Sequence, residues 1–277
     1  MAENSKIEWT KHTQNLWWGC TKVHTGCDNC YAETLSKRWG FDVWGQDAYR
    51  REIKSAFSDL ERFQKKAQQA NEQHRVFIGS MMDIFEKSMQ VVNAAGILVP
   101  GDENSTGALR AKLFTEISEN KYPNLLFLLL TKRPSNINQM TARRWLNKPP
   151  NNIMFGTSIS NQATANRLVP QLLKVNGHKF LSIEPMLGPV QLHPDWLRKN
   201  HLNFLAPAVD WVICGGESGP HKRPFNPDWA RQLRDDCLAA GVPFFMKQMD
   251  KVQSIPDDLL IRQFPKLNQH SWQQSEF

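Results

Sequence analysis

Cys20, Cys27 and Cys30 fall within eleven residues, in the stretch Trp18-Gly19-Cys20-Thr21-Lys22-Val23-His24-Thr25-Gly26-Cys27-Asp28-Asn29-Cys30-Tyr31. Pairing any two as a disulfide leaves a third over. A metal centre with one position open, or filled from elsewhere, suits three thiols better. Two such centres fit the spacing. With His24, the cysteines complete a closed, structural Cys3His zinc site. Without it, three thiolates hold three irons of a 4Fe-4S cluster and leave the fourth iron open to a small molecule. Cys237 recurs with Trp229 and Leu233 at four-residue steps of a helix, and Cys214 lies in an apolar run, so both read as core.

The elements that must position this loop are legible as runs of apolar or β-rich residues over 76–83, 125–133, 153–160, 179–184, 211–218 and 242–248, with a first strand over 15–19. Continuous apolar runs are expected of parallel strands covered on both faces. Helical patterns occupy 51–73, 141–146 and 161–175. A further helix starts at the cap Asn226-Pro227-Asp228 and stops at Gly241. Alternating strands and helices predict an α/β chain, a complete or partial (β/α) barrel formed by residues 1–249. Residues 84–107, with Pro100-Gly101-Asp102-Glu103-Asn104, interrupt the rhythm as an insertion that reads either as a lid or substrate loop or as a plain mobile loop. Residues 250–277 form a polar tail.

In such a barrel the site lies at the C-terminal ends of the strands. Those ends carry the three cysteines, Ser80 and Asp83, Thr131, Lys132 and Arg133, Thr157, Ser158 and Ser160, Ser182 and Glu184, Glu217 and Ser218, and Lys247 and Gln248. Seven polar ends on one face describe a cavity mouth, and a cofactor that meets a substrate belongs there.

Lys and Arg outnumber Asp and Glu by 34 to 27, a net charge of +7 that is compatible with a polyanionic partner. Ten tryptophans offer stacking platforms, although Trp17, Trp44, Trp196, Trp211 and Trp229 sit among apolar neighbours and read as core. Clustered cysteines and an N-terminus without an apolar leader place the chain in a reducing cytoplasm. The apolar stretch 125–130 is too short to cross a bilayer, so no membrane partner is expected.

The cysteine loop ahead of a β/α barrel resembles the radical S-adenosylmethionine superfamily. More closely, Gly19 to Val23 and Gly26-Cys27-Asp28-Asn29-Cys30-Tyr31-Ala32-Glu33, Leu129-Leu130-Thr131-Lys132-Arg133-Pro134, Leu181-Ser182-Ile183-Glu184-Pro185-Met186-Leu187-Gly188-Pro189, Gly215-Gly216-Glu217-Ser218-Gly219-Pro220 and Val242-Pro243-Phe244-Phe245-Met246-Lys247-Gln248 resemble a phage-associated three-cysteine-motif family. The likeness spans residues 6–248. It implies a barrel of the radical S-adenosylmethionine type and a 4Fe-4S cluster on Cys20, Cys27 and Cys30. It also implies S-adenosyl-L-methionine bound through its amino and carboxylate groups and cleaved, on one-electron reduction, to methionine and a 5′-deoxyadenosyl radical.

Two features depart from the commonest superfamily pattern: six residues rather than three separate Cys20 from Cys27, and Asn29 replaces the aromatic before the last cysteine. The resemblance implies further roles. Tyr31 packs against the adenine, Ser80 and Asp83 contact the methionine amino group, and Ser158 contacts ribose. Lys132 and Arg133 pair with the methionine carboxylate or a substrate phosphate. Glu184 and Glu217 bind cofactor hydroxyls or position the substrate, unless they form Glu-to-Arg or Glu-to-Lys pairs across the mouth. Glu184, Glu217 and Lys247 are the candidate catalytic groups. The expected partners are a nucleic acid or nucleotide substrate, to which the basic His221-Lys222-Arg223 loop points, an electron donor, and a protein encoded beside this one. The competing function is a non-catalytic nucleic-acid-binding protein whose cysteine loop holds zinc or an inert cluster.

Overall fold

A computed structural model describes residues 2–197, 208–219, 221–250 and 253–267. In chain order its strands are β1 (Ala2–Glu3), β2 (His12–Gln14), β3 (Trp17–Trp18), β4 (Arg50–Glu52), β5 (His74–Ile78), β6 (Val91–Val92), β7 (Leu125–Thr131), β8 (Ile153–Ile159), β9 (His178–Ile183), β10 (Trp211–Gly215) and β11 (Phe244–Gln248). The helices are α1 (Tyr31–Arg38), α2 (Ala56–Ala70), α3 (Thr106–Ser118), α4 (Ile137–Met140), α5 (Gln162–Leu173), α6 (Pro194–Leu197) and α7 (Pro227–Ala240).

The large sheet runs β1-β2-β5-β7-β8-β9-β10-β11. From β2 onward its seven strands are parallel, and they curl into a half-barrel flanked by helices; β1 adds an antiparallel edge. Each long strand is apolar on both faces, and its residues divide by alternation. Val76, Ile78, Phe127, Leu129, Phe155, Leu181 and Val212 pack against the helices with Leu60, Phe63, Leu113 and Leu233. Phe77, Leu126, Leu128, Met154, Phe180, Ile213 and Phe245 turn to the concave side, where Trp9 and Trp211 join them. Gly156 makes room there, because a Cβ on it would overlap the Phe180 ring. The concave side of the half-barrel is thus packed with apolar side chains.

Local signals set the helix ends. The Asn226 side chain accepts from the Asp228 amide, Pro227 opens α7, and Gly241 ends it at φ +68°. Asn161 and Thr164 form a reciprocal capping box on α5. Cys214 and Cys237 are fully buried in the core, as their apolar neighbours require.

Several boundaries differ from expectation. The first barrel strand is β2, not residues 15–19; Trp17 and Trp18 leave the large sheet and pair with Glu52 and Arg51 of β4. Residues 141–146 form only a 3-10 turn at Arg143–Leu146. Part of the 84–107 insertion is structural, since β6 pairs with β4, which on its other side pairs with β3, in a three-stranded sheet that leads into the cysteine loop. The described part of the tail packs on the barrel. Leu259 is fully buried, Phe264 meets Trp211 and Phe245 at ring distances of 5.6 and 5.3 Å, and Trp211 Nε1 donates to the Gln263 carbonyl at 2.9 Å. Residues 251, 252 and 268–277 of the expected tail, and Pro220 of the Gly-Gly-Glu-Ser-Gly-Pro motif, lie outside the described residues. Among the described residues no helix is long and apolar enough to cross a membrane.

Candidate functional site

The cysteine loop starts where β3 ends. Gly19 adopts φ +116°, and a Cβ there would overlap the Val43 carbonyl, so only glycine fits the turn that aims Cys20. Hydrogen bonds from the Gly19 amide to the Met81 carbonyl and from the Gly45 amide to the Cys20 carbonyl fix this end. Residues Thr25–Cys27 then make a 3-10 turn, capped by His24, whose Nδ1 accepts from the Gly26 amide at 3.0 Å. Cys30 is the N-cap residue of α1.

The three cysteines are free thiols and line one cavity. Its wall also carries Tyr31, Ser80, Asp83, Lys132, Arg133, Ser158, Glu184, Glu217 and Lys247, whereas Thr157, Ser160 and Gln248, expected at the same strand ends, are not part of it. Ser182 and Ser218 join them, with Trp9, Phe77 and Leu130 as apolar lining. Trp44, expected in the core, is a wall residue instead, because its backbone pairs with Cys20. The cavity volume is about 170 Å³. Ligand pockets usually enclose roughly 300 Å³ or more, so a nucleoside-sized ligand would project through the mouth.

Hydrogen bonds divide these residues into two sets. The first set braces the loop. Asp83 accepts from Thr131 Oγ1 and the Phe85 amide on one oxygen, and from the Lys132 amide and Arg133 Nη1 on the other. Arg133 in turn donates from Nη2 to the Thr21 carbonyl at 2.6 Å, and its Nη1 lies 3.7 Å from Cys20 Sγ. Both Asp83 oxygens and both Arg133 Nη groups are thereby engaged within the protein. Fully buried Arg50 makes a two-pronged pair with Glu86 and donates to Thr21 Oγ1 and to the carbonyls of Val43, Gly45 and Ala48. At the far end Glu217 takes Nε and Nη2 of Arg223 at 3.1 and 2.7 Å, and Asn29 Nδ2 at 3.2 Å. Arg223 Nη2 also donates to the Thr25 carbonyl at 3.2 Å. Three arginine–carboxylate pairs therefore hold the loop from three sides.

The second set faces the cavity with fewer commitments. Glu184 and Lys247 form an ion pair across the mouth. Both glutamates thus adopt the Glu-to-Lys and Glu-to-Arg pairing that the sequence left open. Ser158 Oγ donates to the Glu184 carbonyl at 2.9 Å, and the Tyr31 hydroxyl donates to the Ser80 carbonyl at 2.6 Å. Ser80 Oγ accepts from Asn15 Nδ2 at 2.8 Å. The ammonium of Lys132 has no hydrogen bond or ion pair among the described residues. With Asp83, Glu184 and Glu217 each matched by a cation, Lys132 leaves the wall one positive charge in excess.

Burial pushes the Cys20 thiol up to about 12, with the Asp83 and Glu86 carboxylates acting in the same direction and Arg133 against them. A metal must displace its proton. Burial also pushes His24 down to about 4, helped by the charges of Lys132 and Arg167, so the ring is neutral at pH 7. Because Nδ1 accepts from Gly26, the proton belongs on Nε2, and His24 does not line the cavity. Although burial opposes its ionisation, Glu217 stays below the usual carboxylate range through Arg223 and Asn29. Among the described residues no group of three or more His, Cys, Asp or Glu is gathered so as to hold a metal ion. In an iron–sulfur cluster each thiolate bonds its own iron, so the ligand sulfurs need not meet at one point.

Residues 4–273 match the family described as a protein of unknown function, DUF5131. The chain belongs to that family. The DUF5131 match takes in the cysteine loop and every strand except β1. No curated protein and no solved structure matches the chain.

Arg50, Glu86 and Arg223 are the site residues of this DUF5131 chain that sequence reasoning missed or misread. Arg50 sits in the charged run Arg50-Arg51-Glu52, which carries no apolar strand signal, and Glu86 lies in the presumed insertion. In sequence Arg223 belongs with His221 and Lys222 to a basic loop suited to a nucleic acid, whereas in the structure it is turned to Glu217. The one available clue was Asn29 between two cysteines, a short amide placed to tie the loop elsewhere.

Proposed function

We propose that this chain is a radical S-adenosylmethionine enzyme, its half-barrel being of that superfamily's type, with Cys20, Cys27 and Cys30 holding a 4Fe-4S cluster. The carrying observation is that three free thiols line the same cavity as the polar ends of the parallel strands. The donor set fits the cluster: three thiols, His24 turned to its own loop, and Cys214 and Cys237 sequestered in the core. When bound with S-adenosyl-L-methionine and reduced by one electron, such a cluster supplies a 5′-deoxyadenosyl radical.

The chain's own residues have separable tasks. Arg50, Arg133 and Arg223 fix the loop and keep its backbone carbonyls paired. Lys132, a wall cation without an ion pair among the described residues, takes the carboxylate of the amino-acid portion as a point charge. Tyr31, Ser158 and Ser182 line the space for the nucleoside. Glu184 and Lys247, paired across the mouth, face the substrate, where they position its polar groups or move a proton.

A nucleic acid or nucleotide is the substrate class supported by the net charge of +7 and by the aromatic surface beside the loop. Trp39, 52% exposed at the end of α1, stacks on Trp18 at 4.7 Å, and Arg51 lies over Phe41 at 3.8 Å. Stacked aromatics with a guanidinium offer a platform for a base. An electron-donor protein and a protein encoded beside this one complete the expected partners, in a reducing cytoplasm. The test is anaerobic reconstitution with iron and sulfide, followed by S-adenosyl-L-methionine and a reductant. The reading requires 5′-deoxyadenosine; a chain that purifies with zinc and yields none is the non-catalytic alternative.

A further inference from the structure

Of the three cysteines, Cys20 alone has a cationic donor at its sulfur. Arg133 Nη1 lies 3.7 Å from Cys20 Sγ, and among the described residues no hydrogen bond reaches the sulfur of Cys27 or Cys30. The guanidinium is held in place by Asp83 at 2.7 Å, the Thr21 carbonyl at 2.6 Å and, more distantly, Glu86 at 3.7 Å. Asp83 is itself fixed by Thr131 Oγ1 at 2.7 Å and the Phe85 amide at 3.0 Å. An arginine so anchored cannot swing into the cavity without breaking a buried ion pair.

We infer that Arg133 is a positioning residue for the Cys20 ligand, orienting its sulfur and setting the reduction potential of the group bound there. This rests on the cluster reading. The charges around Cys20 support it: Asp83 and Glu86 are matched by Arg50 and Arg133, with buried Arg110 beside them, and of these cations Arg133 alone reaches the sulfur. Removing Arg133 takes away the positive charge nearest the cysteine and the N–H that points at its sulfur. Reduction adds an electron to the cluster, so both losses disfavour the reduced form. Partners that orient metal ligands also contribute to retention, and losing one typically weakens metal binding about 10- to 100-fold.

Arg223 provides the control, because it braces the same loop through Thr25, Asp28 and Glu217 without reaching a sulfur. Wild-type chain and the Arg133→Gln, Arg133→Lys and Arg223→Gln variants are reconstituted without oxygen. Each is assayed for iron and sulfide content, for iron loss to a chelator and for midpoint potential. Arg133→Gln should lose iron about 10- to 100-fold more readily and show a more negative potential. Arg133→Lys, which keeps the charge without the fork, should fall between it and wild type. Arg223→Gln should loosen iron but leave the potential where it was. A potential unchanged in Arg133→Gln, or shifted equally in Arg223→Gln, overturns the assignment. A wild-type chain that takes up no iron and sulfide removes the cluster reading and this inference together, an outcome distinct from a cluster whose potential does not move.

Discussion

Asn29 and Glu217, 188 residues apart in sequence, meet in an Nδ2–Oε2 hydrogen bond of 3.2 Å, so the segment between the second and third cysteines is tied to the end of β10. The same Glu217 oxygen also accepts from the Arg223 amide and Nε, which makes the carboxylate the hub of the loop's far end. Glu217→Gln removes the charge of a side chain only 5% exposed and should cost about 2–3 kcal/mol. Urea unfolding of Glu217→Gln, Arg223→Gln and the double variant checks this. Strongly non-additive losses are expected; additive losses would mean that the two residues act independently.

Gly26 is packed so closely that a Cβ on it would overlap Ser160 Oγ and come within 2.8 Å of the His24 ring. Gly26→Ala should therefore destabilise the chain by about 1–3 kcal/mol, as overpacking does. Ser160 Oγ is buried without a hydrogen-bond partner among the described residues, so Ser160→Ala alone should be nearly silent. Combined with Gly26→Ala it should restore much of the loss. Thermal unfolding of the three variants decides, and no recovery in the double variant would show that His24 or the backbone is the real obstacle.

His12 connects the fold to pH. Its ring stacks on Phe63 at 4.1 Å, its Nε2 lies 3.0 Å from His74 Nδ1, and its pKa is pushed down from 6.5 to about 4, by burial first and His74 second. The unfolded chain takes up this proton near pH 6.5 and the native chain only near pH 4, so the unfolded state binds more protons in that window. Stability is complete above pH 6.5, declines as pH falls toward 4 and levels off below. His12 contributes on the order of 3 kcal/mol to the decline. His24 shifts in the same direction. His12→Gln should thus remove about half of the slope that the two impose between pH 6.5 and 4 in denaturant titrations, and an unchanged slope would contradict the assignment.

Lys132 should separate binding from folding. Lys132 lines the cavity and its ammonium has no ion pair among the described residues, so Lys132→Gln should change stability by less than about 0.5 kcal/mol. It should weaken S-adenosyl-L-methionine binding to the reconstituted chain roughly tenfold, with less salt dependence than wild type. Equilibrium dialysis at two salt concentrations measures this. Lower stability with unchanged affinity would show that Lys132 is structural.

What could be read in the sequence follows from where apolar burial dominates. β7, β8 and β10 are apolar on both faces, and their polar ends fall at the cavity as expected. The α7 boundaries follow from Asn226, Pro227 and Gly241. Elements held by charge were not legible. β4 is Arg50-Arg51-Glu52, and it exists because six hydrogen bonds satisfy Arg50 inside the protein. α1 buries only Ala32 and Ser36 and so shows no apolar stripe. Within the site, the presence of Arg133 and Glu217 could be read but not their direction, since an arginine facing a ligand and one facing a carboxylate have the same sequence.

Iron and acid-labile sulfide content, with an absorbance spectrum recorded without oxygen, tests the central claim most directly when wild type and Cys30→Ala are compared. About four irons and four sulfides per wild-type chain, with loss of both in the variant at unchanged folding, are predicted. Zinc in place of iron, or a cluster retained intact in Cys30→Ala, would contradict it.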